Sequence, residues 1–353
     1  MRTRFAAALL ALALGVAAPA GAAPEPAGAE AQRDETSAAS SELPRSKRAT
    51  GDDSAALAPI GLTDARVLGE GEFAFSYRYS WIHSDDMRDG THREGTSQVL
   101  SNFTETPRSR DLHRHLFGVS YAPHRRVTLS AKLPFITQKT RRAARNGNRF
   151  HSESSGVGDL ELRVLVPFMR KNNESLQIDV GLTAPTGSIT ERDRGADGSR
   201  ERLSFPQQLG SGTVDLLTGV VYRGRWESLS WGFVARGTYR FYENSKDYEL
   251  GDEYLLSTWL AQSWTDWMST SLRLSWNRRE AVSPKDDPDQ GPEMDPKRQT
   301  GETLDIGPGV NFEVPLPGSP RFGVEMSWPF YQTLDGPQLE RDWQLTAGWK
   351  WAF

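Results

Sequence analysis

The last eleven residues of the chain, 343–353, alternate strictly between apolar and polar side chains. The apolar positions are Trp343, Leu345, Ala347, Trp349, Trp351 and Phe353. A period of two is typical of a β-strand, and aromatic residues at both ends of its apolar face are typical of a strand with one face in lipid. An amphipathic edge strand of a soluble sheet is the alternative, and the rest of the chain distinguishes the two.

The same alternation recurs along most of the chain. An α-helix would scatter these apolar residues around its circumference, so the pattern indicates strands. The earlier segments lie around residues 71–81, 117–121, 127–135, 159–168, 176–183, 214–222, 229–241, 254–264, 268–276, 304–313 and 322–330. With the terminal segment they predict about twelve strands, an even number as in single-chain bacterial barrels.

The predicted connectors alternate between short and long, apart from two of intermediate length. The short ones are 122–126, 169–174, 223–227, 265–267 and 315–320, and the long polar ones are 84–110, 138–156, 185–212 and 278–301. In outer-membrane barrels short turns face the periplasm and long loops face outward. The sequence therefore predicts a transmembrane antiparallel up-and-down β-barrel over 63–353, with both termini periplasmic.

Aromatic residues sort into two belts on this topology, as they do at the two interfaces of a membrane. One belt, at the predicted inner rim, is Tyr121, Phe168, Tyr222, Trp264 and Phe353; the other is Trp81, Phe241, Tyr254, Trp276, Phe330 and Trp343. A soluble sandwich has no reason to produce two belts, so the alternation favours the transmembrane barrel.

Two segments precede the barrel. Residues 1–22 combine Arg2 and Arg4, a short apolar run and Ala20-Gly21-Ala22, which predicts a secretory signal peptide and hence export to the Gram-negative cell envelope. Residues 23–62 are rich in Ala, Pro, Glu, Ser and Gly without aromatic residues, which predicts a disordered periplasmic arm. The alternative roles for the arm are a plug that enters the barrel or a tail that binds a partner.

Composition excludes several classes of function. The chain has no cysteine, so disulfides and thiolate metal sites are absent, and its net charge of -4 offers no argument for nucleic-acid binding. After the signal peptide no run of about 20 apolar residues could form a spanning helix. We expect no cofactor and no resident metal.

Several short motifs resemble the outer-membrane barrel family named for the MetA pathway of phenol degradation. They are Gly156 to Leu162 (GVGDLEL), Gly181 to Gly187 (GLTAPTG), Phe205 to Leu217 (FPQQLGSGTVDLL) and Asp252 to Tyr254 (DEY). The resemblance covers most of 65–353 and implies a transporter or channel for small molecules, associated by name with aromatic catabolism. The terminal Phe353 similarly resembles the ending that such barrels present to the barrel-assembly machinery.

Charged residues at predicted interior positions are the candidate pore lining. They are Arg78, Lys132, Asp159, Glu161, Arg163, Asp179, Asp215, Arg236, Arg240, Arg273, Asp305 and Glu325. Acidic residues concentrate on the fourth to sixth predicted strands and arginines on the seventh and ninth, which would set a transverse field that tunes selectivity. The alternative is that these groups pair with one another and fill the lumen.

The sequence gives less support to the hypotheses of an enzyme or a metal-binding site. His83-Ser84-Asp85 and His151-Ser152 lack the histidine and serine two residues apart on one strand face that we associate with outer-membrane phospholipases. His113 and His115 share a strand face and could approach a divalent cation, although an interfacial position is the simpler explanation. The acidic segment 286–291 lacks the spacing of a calcium loop, and a solvated loop that contacts lipopolysaccharide through bridging cations is its simpler role.

The sequence thus predicts a non-enzymatic channel of the outer membrane that passes small solutes, with aromatic or hydrophobic molecules as the candidate class. Loops 84–110, 138–156 and 185–212 would restrict entry. Membrane lipid, lipopolysaccharide, the assembly machinery and a small-molecule solute are the expected partners, and nucleic acid is not. The alternative is a closed structural or surface-interaction barrel. The sequence does not settle the oligomeric state.

Overall fold

A closed antiparallel β-barrel dominates the computed structural model, which describes residues 58–62, 68–171, 173–283 and 291–353. Eleven strands form the ring. They are β1 (Phe73–Gly90), β3 (Glu105–His124), β4 (Val127–Ala144), β6 (Leu160–Lys171), β7 (Glu174–Ala184), β10 (Leu216–Trp226), β11 (Leu229–Tyr239), β12 (Glu253–Ser263), β13 (Met268–Arg279), β14 (Gly301–Glu313) and β15 (Arg321–Ala352).

Strand β15 supplies two passes of the wall. Its first half pairs with β14 from Arg321 to Leu334, and its second half pairs with β1 from Leu334 to Ala352. Both pairings are antiparallel, so the chain reverses near Gly336, whose φ of 82° is accessible to glycine at little cost. The ring therefore has twelve passes, and the prediction of about twelve strands in an up-and-down barrel is confirmed.

Four shorter strands and one α-helix lie outside the ring. The strands are β2 (His92–Glu94), β5 (Arg149–Val157), β8 (Arg192–Arg194) and β9 (Arg200–Arg202), and the helix is α1 (Thr96–Asn102). Strand β5 pairs with the upper part of β4, directly beyond the part that pairs with β6. One face of the barrel is therefore much taller than the other, since β7, β10, β11 and β12 have 11 residues each.

The alternation predicted from the sequence describes the two faces of the wall. Outward positions carry exposed apolar side chains such as Phe117 (51% exposed), Leu182 (51%) and Leu260 (54%). Their sequence neighbours Gly118, Gly181 and Trp259 point inward because successive strand residues face opposite sides. This apolar outer surface is the lipid face of a transmembrane barrel.

Two of the predicted long loops are wrong. Residues 84–110 and 138–156 contain the ends of β1 and β4, the start of β3 and nearly all of β5. These strand ends lie beyond the apolar belt, where both faces of the wall meet water or other polar groups. The apolar-polar alternation is therefore missing, although the backbone pairing continues.

The five predicted short turns are confirmed, and they all lie at one end of the barrel, which we term the short-turn end. The opposite end, the long-loop end, carries the connections 185–215 and 280–300, of which 284–290 lie outside the described residues. These two connections include three 3-10 helices. These helices are Phe205–Gln207, Pro292–Met294 and Pro296–Arg298.

No helix among the described residues is long and apolar enough to cross a membrane. The predicted signal peptide, residues 23–57 of the predicted arm and the acidic stretch 286–290 lie outside the described residues. Residues 58–62, at the end of the predicted arm, form a turn inside the barrel, closed by a hydrogen bond of 3.0 Å from the Leu62 amide to the Pro59 carbonyl.

Candidate functional site

The barrel interior is the candidate site, and most of the predicted lining residues face it. Interior positions on the strands hold Arg78, Lys132, Glu161, Arg163, Asp179, Arg236, Arg273, Asp305 and Glu325. Asp159, Asp215 and Arg240 instead lie beside strand ends at the long-loop end. The interior is strongly polar, as the lumen face of an outer-membrane barrel is.

Arg163 and Asp179 form an ion pair between neighbouring strands. Nη1 of Arg163 donates to Oδ1 of Asp179 over 2.5 Å, and the Asp179 side chain is fully buried. A Cβ on Gly219 would lie 2.2 Å from the Asp179 carboxylate, so the missing side chain of Gly219 provides the space for this pair. Glu161 lies 3.5 Å from Nε of Arg163 and shares the same arginine.

A second interior pair joins β13 to β15. The Arg273 guanidinium donates to Glu325 through Nε and Nη2, at 3.1 and 2.5 Å, while Nη1 donates to Ser275 over 2.5 Å. Glu325 is 1% exposed. Two parallel donors to one carboxylate fix this arginine against the wall.

The other acidic residues of the predicted set also have near partners. Asp215 accepts from Nε of Arg240 over 3.3 Å, and Asp305 accepts from Asn277 over 2.7 Å and from Arg341. Acidic and basic groups therefore meet on adjacent segments of wall, which weakens the transverse field expected from the sequence. The register between strands determines which charged groups become neighbours, and composition does not reveal that register.

The Asp159 carboxylate holds two loop segments together through hydrogen bonds. Its carboxylate accepts from the Gly187 amide (2.9 Å), the Ser211 amide (2.7 Å) and the Ser211 hydroxyl (2.9 Å). It thereby ties the gap between β5 and β6 to both ends of connection 185–215. These contacts explain why a carboxylate stands in the segment 156–162.

At the long-loop end a buried cluster closes over the interior, which we term the loop constriction: Glu293, Arg110, Arg142, Ser204 and Gln207. Glu293, from the 280–300 connection, accepts from Arg110, from Arg142 over 3.3 Å and from the Ser204 hydroxyl over 3.2 Å. Glu293 is 3% exposed. Two loops and two tall strands thus meet at one carboxylate.

Gln207 extends the loop constriction to β5. Its side-chain oxygen accepts from Arg142 over 3.0 Å and from the Ser152 hydroxyl over 3.1 Å, and its backbone carbonyl accepts from the Ser154 hydroxyl over 2.8 Å. Sequence reasoning did not single out Glu293 or Gln207, because neither lies on a predicted strand. The only signal was the resemblance motif that contains Gln207.

The charge state of Glu293 follows from this cluster. Burial raises the pKa of a carboxyl group, but Arg110 and Arg142 outweigh it and hold the pKa of Glu293 below its ordinary value. Glu293 is therefore ionised at neutral pH and completes a buried charged network.

At the short-turn end the interior is occupied by residues 58–62, which we term the inner turn. The Gly61 carbonyl accepts from Nη1 of Arg78 over 2.9 Å, and the Ala58 carbonyl accepts from Arg321. A Cβ on Gly61 would lie 2.3 Å from Glu325 Oε1, so a larger residue here would displace the carboxylate that pairs with Arg273. The turn is held mainly through its backbone.

Beneath the inner turn lies an apolar area that we term the interior patch: Val221, Val234, Trp259 and Ala261. Ala58 and Leu62 pack against it, and each of its members is no more than 2% exposed. Sequence reasoning missed this patch because it assigned the apolar residues of these strands to the lipid face. The signal was available, since Trp259 is out of phase with Leu260.

The histidine candidates have structural partners on the outer face. Tyr79 bonds to Nδ1 of His113 over 2.7 Å and Tyr77 bonds to Nδ1 of His115 over 2.9 Å, so both histidines belong to the aromatic surface. Ser152 of the His151-Ser152 pair is committed to Gln207.

His83 bonds to Asp111 over 2.8 Å, and its ring lies close to the side chains of Asp85 and Asp342 toward the long-loop end. Asp85 is exposed, and Asp342 is half-buried.

No family model and no curated protein sequence matches the chain. Among solved structures, the COG4313 outer membrane channel from Pseudomonas putida F1 aligns with a TM-score of 0.57 at 16% identity, over 83% of this chain and 99% of that one. This similarity shows a common barrel fold.

Two other barrels align less well. They are the β domain of the Bordetella autotransporter BrkA (TM-score 0.44, 10% identity, 80% of this chain and 100% of that one) and a mutant of the TodX monoaromatic hydrocarbon channel (0.42, 10%, 80% and 90%). At these scores neither bears on function.

Proposed function

We propose that this protein is a passive channel of the bacterial outer membrane that admits small solutes, with aromatic or hydrophobic molecules as the preferred class. One observation carries the proposal: the bore of the barrel holds a five-residue backbone turn, 58–62, that is not part of its wall. A bore that accommodates a folded turn has room for a small molecule once that turn moves aside. The fold it shares with the P. putida outer membrane channel and the resemblance motifs both support this function.

Under this proposal both termini lie in the periplasm, the long loops face outward, and lipopolysaccharide surrounds the outer rim. Cleavage of this protein by a protease added to intact cells tests the orientation. Arg192, Arg194 and Arg200 in the loop 185–215 are accessible targets for trypsin, since all three are exposed. Cleavage only after the envelope is permeabilised would reverse the assignment.

The second candidate is a closed barrel that serves as a structural or surface-interaction element. The burial of interior residues favours it: Asp179, Arg223 and Glu325 are each no more than 1% exposed, although they face the lumen. In this case the ion pairs and the inner turn would be permanent filling.

Conductance separates the two candidates. Purified full-length protein in a planar lipid bilayer should show stepwise current if the channel proposal holds. A barrel that is folded by heat-modifiable mobility and yet electrically silent, both as wild type and after the inner turn is disrupted, would favour the closed barrel.

Conductance alone leaves solute preference open. Swelling of proteoliposomes in benzyl alcohol and in a sugar of similar mass compares the two classes. Faster entry of the aromatic solute, relative to protein-free vesicles, supports the proposed preference. Equal facilitation of both solutes would leave a channel without that preference.

A further inference from the structure

We propose that the interior patch is a binding site for a small aromatic solute with one neutral hydrogen-bonding group, and that the inner turn occupies this site in competition with the solute. The inference rests on the proposed channel function and specifies its substrate class.

The interior patch is an apolar shelf in a polar lumen. Val221 and Val234 are directly paired on β10 and β11. Trp259 on β12 pairs with Gly232, which lies two residues nearer the short-turn end of β11 than Val234. A Cβ on Gly232 would lie 2.1 Å from Cη2 of Trp259, so the indole lies over the bare backbone of β11. A flat aromatic surface is thereby presented toward the bore, where it can stack on another ring.

Two apolar side chains from a segment outside the wall cover this shelf. The Ala58 and Leu62 side chains contact it, and they are held by the same short turn. An apolar surface in a lumen open to water is unfavourable by about 25 cal/mol per Å2, so a cover is expected whenever no solute is present. A small apolar solute gives the same burial and can replace the turn.

Two serine hydroxyls next to the shelf indicate the polar part of the ligand. Ser230 and Ser271 flank Ala261 in register on β11 and β13, and they are 1% and 7% exposed. Neither hydroxyl has a hydrogen-bond partner among the described parts of the chain. An unsatisfied buried hydroxyl costs about 1–3 kcal/mol, so a ligand group that reaches it gains that bond.

An ion pair on the neighbouring strand makes a neutral ligand the better fit. Arg273 is the register neighbour of Trp259, and its guanidinium already donates to Glu325 and Ser275. A hydroxyl can donate to or accept from a serine, whereas a carboxylate would add a charge beside Glu325. An aromatic ring with one hydroxyl group therefore matches the shelf and its rim.

The binding experiment uses the full chain in detergent, with 4-fluorobenzyl alcohol as the probe. Binding of the probe is measured from its 19F NMR line width. In the double variant Ala58→Asp, Leu62→Asp, carboxylates replace the two apolar contacts, so the turn leaves the shelf. Apparent affinity for the probe should rise at least tenfold over wild type, because the binding-competent fraction rises. An unchanged affinity would overturn the competition.

Trp259→Leu in that double-variant background should lower the affinity at least tenfold, and Trp259→Phe should restore most of it. Trp231→Leu is the matched control, because Trp231 pairs with the exposed Leu260 on the lipid face. It also corrects for partition of the probe into detergent. Equal effects of Trp259→Leu and Trp231→Leu would overturn the site.

The hydroxyl requirement is tested with 4-fluorotoluene, which lacks the polar group, and with 4-fluorobenzoate, which carries a charge. The alcohol should bind best, and Ser230→Ala with Ser271→Ala should remove its advantage over the toluene. Tighter binding of the benzoate would overturn the neutral assignment.

Bilayer conductance of the same preparations separates the two proposals. If the protein carries current but does not bind the probe, the site proposal is overturned and the channel proposal stands. If the probe binds to a barrel that carries no current, the channel proposal is overturned and the site stands.

Discussion

The two ends of the lumen are closed by opposite chemistry. At the long-loop end, the carboxylate of Glu293 is buried among Arg110, Arg142 and Ser204. At the short-turn end, Ala58 and Leu62 cover four apolar wall residues. The first closure depends on ionisation and hydrogen bonding, and the second depends on apolar burial. Each should therefore respond to perturbations that leave the other unchanged.

Removing the charge at the centre of the loop constriction should have the largest effect. Glu293→Gln leaves Arg110 and Arg142 buried without their anion, and breaking a buried pair in this way costs about 3–5 kcal/mol. Trypsin should then cut the loop 185–215 of the purified protein faster by at least tenfold.

The matched control is Glu153→Gln, which removes an exposed ion pair with Lys139 (2.5 Å; side chains 51% and 48% exposed). Such surface pairs contribute about 0–1 kcal/mol. Cleavage rates that are equal in the two variants would contradict a buried ionic closure.

Crowding the interior patch should have the next largest effect. Gly232→Ala places a methyl group 2.1 Å from the Trp259 indole and 2.7 Å from the Tyr222 carbonyl. Overpacking of this kind costs about 1–3 kcal/mol, and it should lower the urea midpoint for loss of heat-modifiable mobility. Gly95→Ala, where a Cβ meets no atom within 4 Å, is the control. An unchanged midpoint for Gly232→Ala would mean that the indole does not lie over β11.

Acid should loosen only the loop constriction. The pKa of Glu293 is lowered in the folded protein because Arg110 and Arg142 outweigh the effect of burial. Its stabilisation is therefore fully present above the unfolded pKa of about 4.3 and is lost as pH falls through the lower folded value.

Hydrogen exchange of the loop 185–215 should accelerate across that acidic window, while exchange in β10 to β12 stays unchanged. Glu293→Gln should reduce the pH dependence of the loop. Loosening of both ends over the same pH range would contradict the separation of the closures.

The smallest effect is expected at Ser230. Its hydroxyl is buried without a partner among the described residues, so Ser230→Ala should leave the urea midpoint unchanged or raise it slightly. A loss of more than about 1 kcal/mol would indicate a hydrogen bond and remove the hydroxyl from the proposed ligand site.

The sequence predicted the barrel because burial in lipid imposes a period of two that is visible without contacts. It failed for the tall extensions of β1 and β4, since polar residues on both faces carry no such period. Nine of the twelve candidate lining residues face the interior from strands. Their pairing, such as Arg163 with Asp179, needed the register between strands.

Trp259 illustrates the remaining gap. An apolar residue on a strand predicts a buried face, but it does not say whether lipid or a second segment covers that face. Here Ala58 and Leu62 provide the cover from about 200 residues away in sequence, which only the folded chain brings together.

The conductance of the double variant Ala58→Asp, Leu62→Asp in a planar bilayer, measured beside the wild type, tests the central claim most directly. A displaceable inner turn predicts stepwise currents in both proteins and a severalfold larger unit conductance in the variant. Silence from both, with heat-modifiable mobility intact, would contradict the channel and leave a barrel with a permanently filled interior.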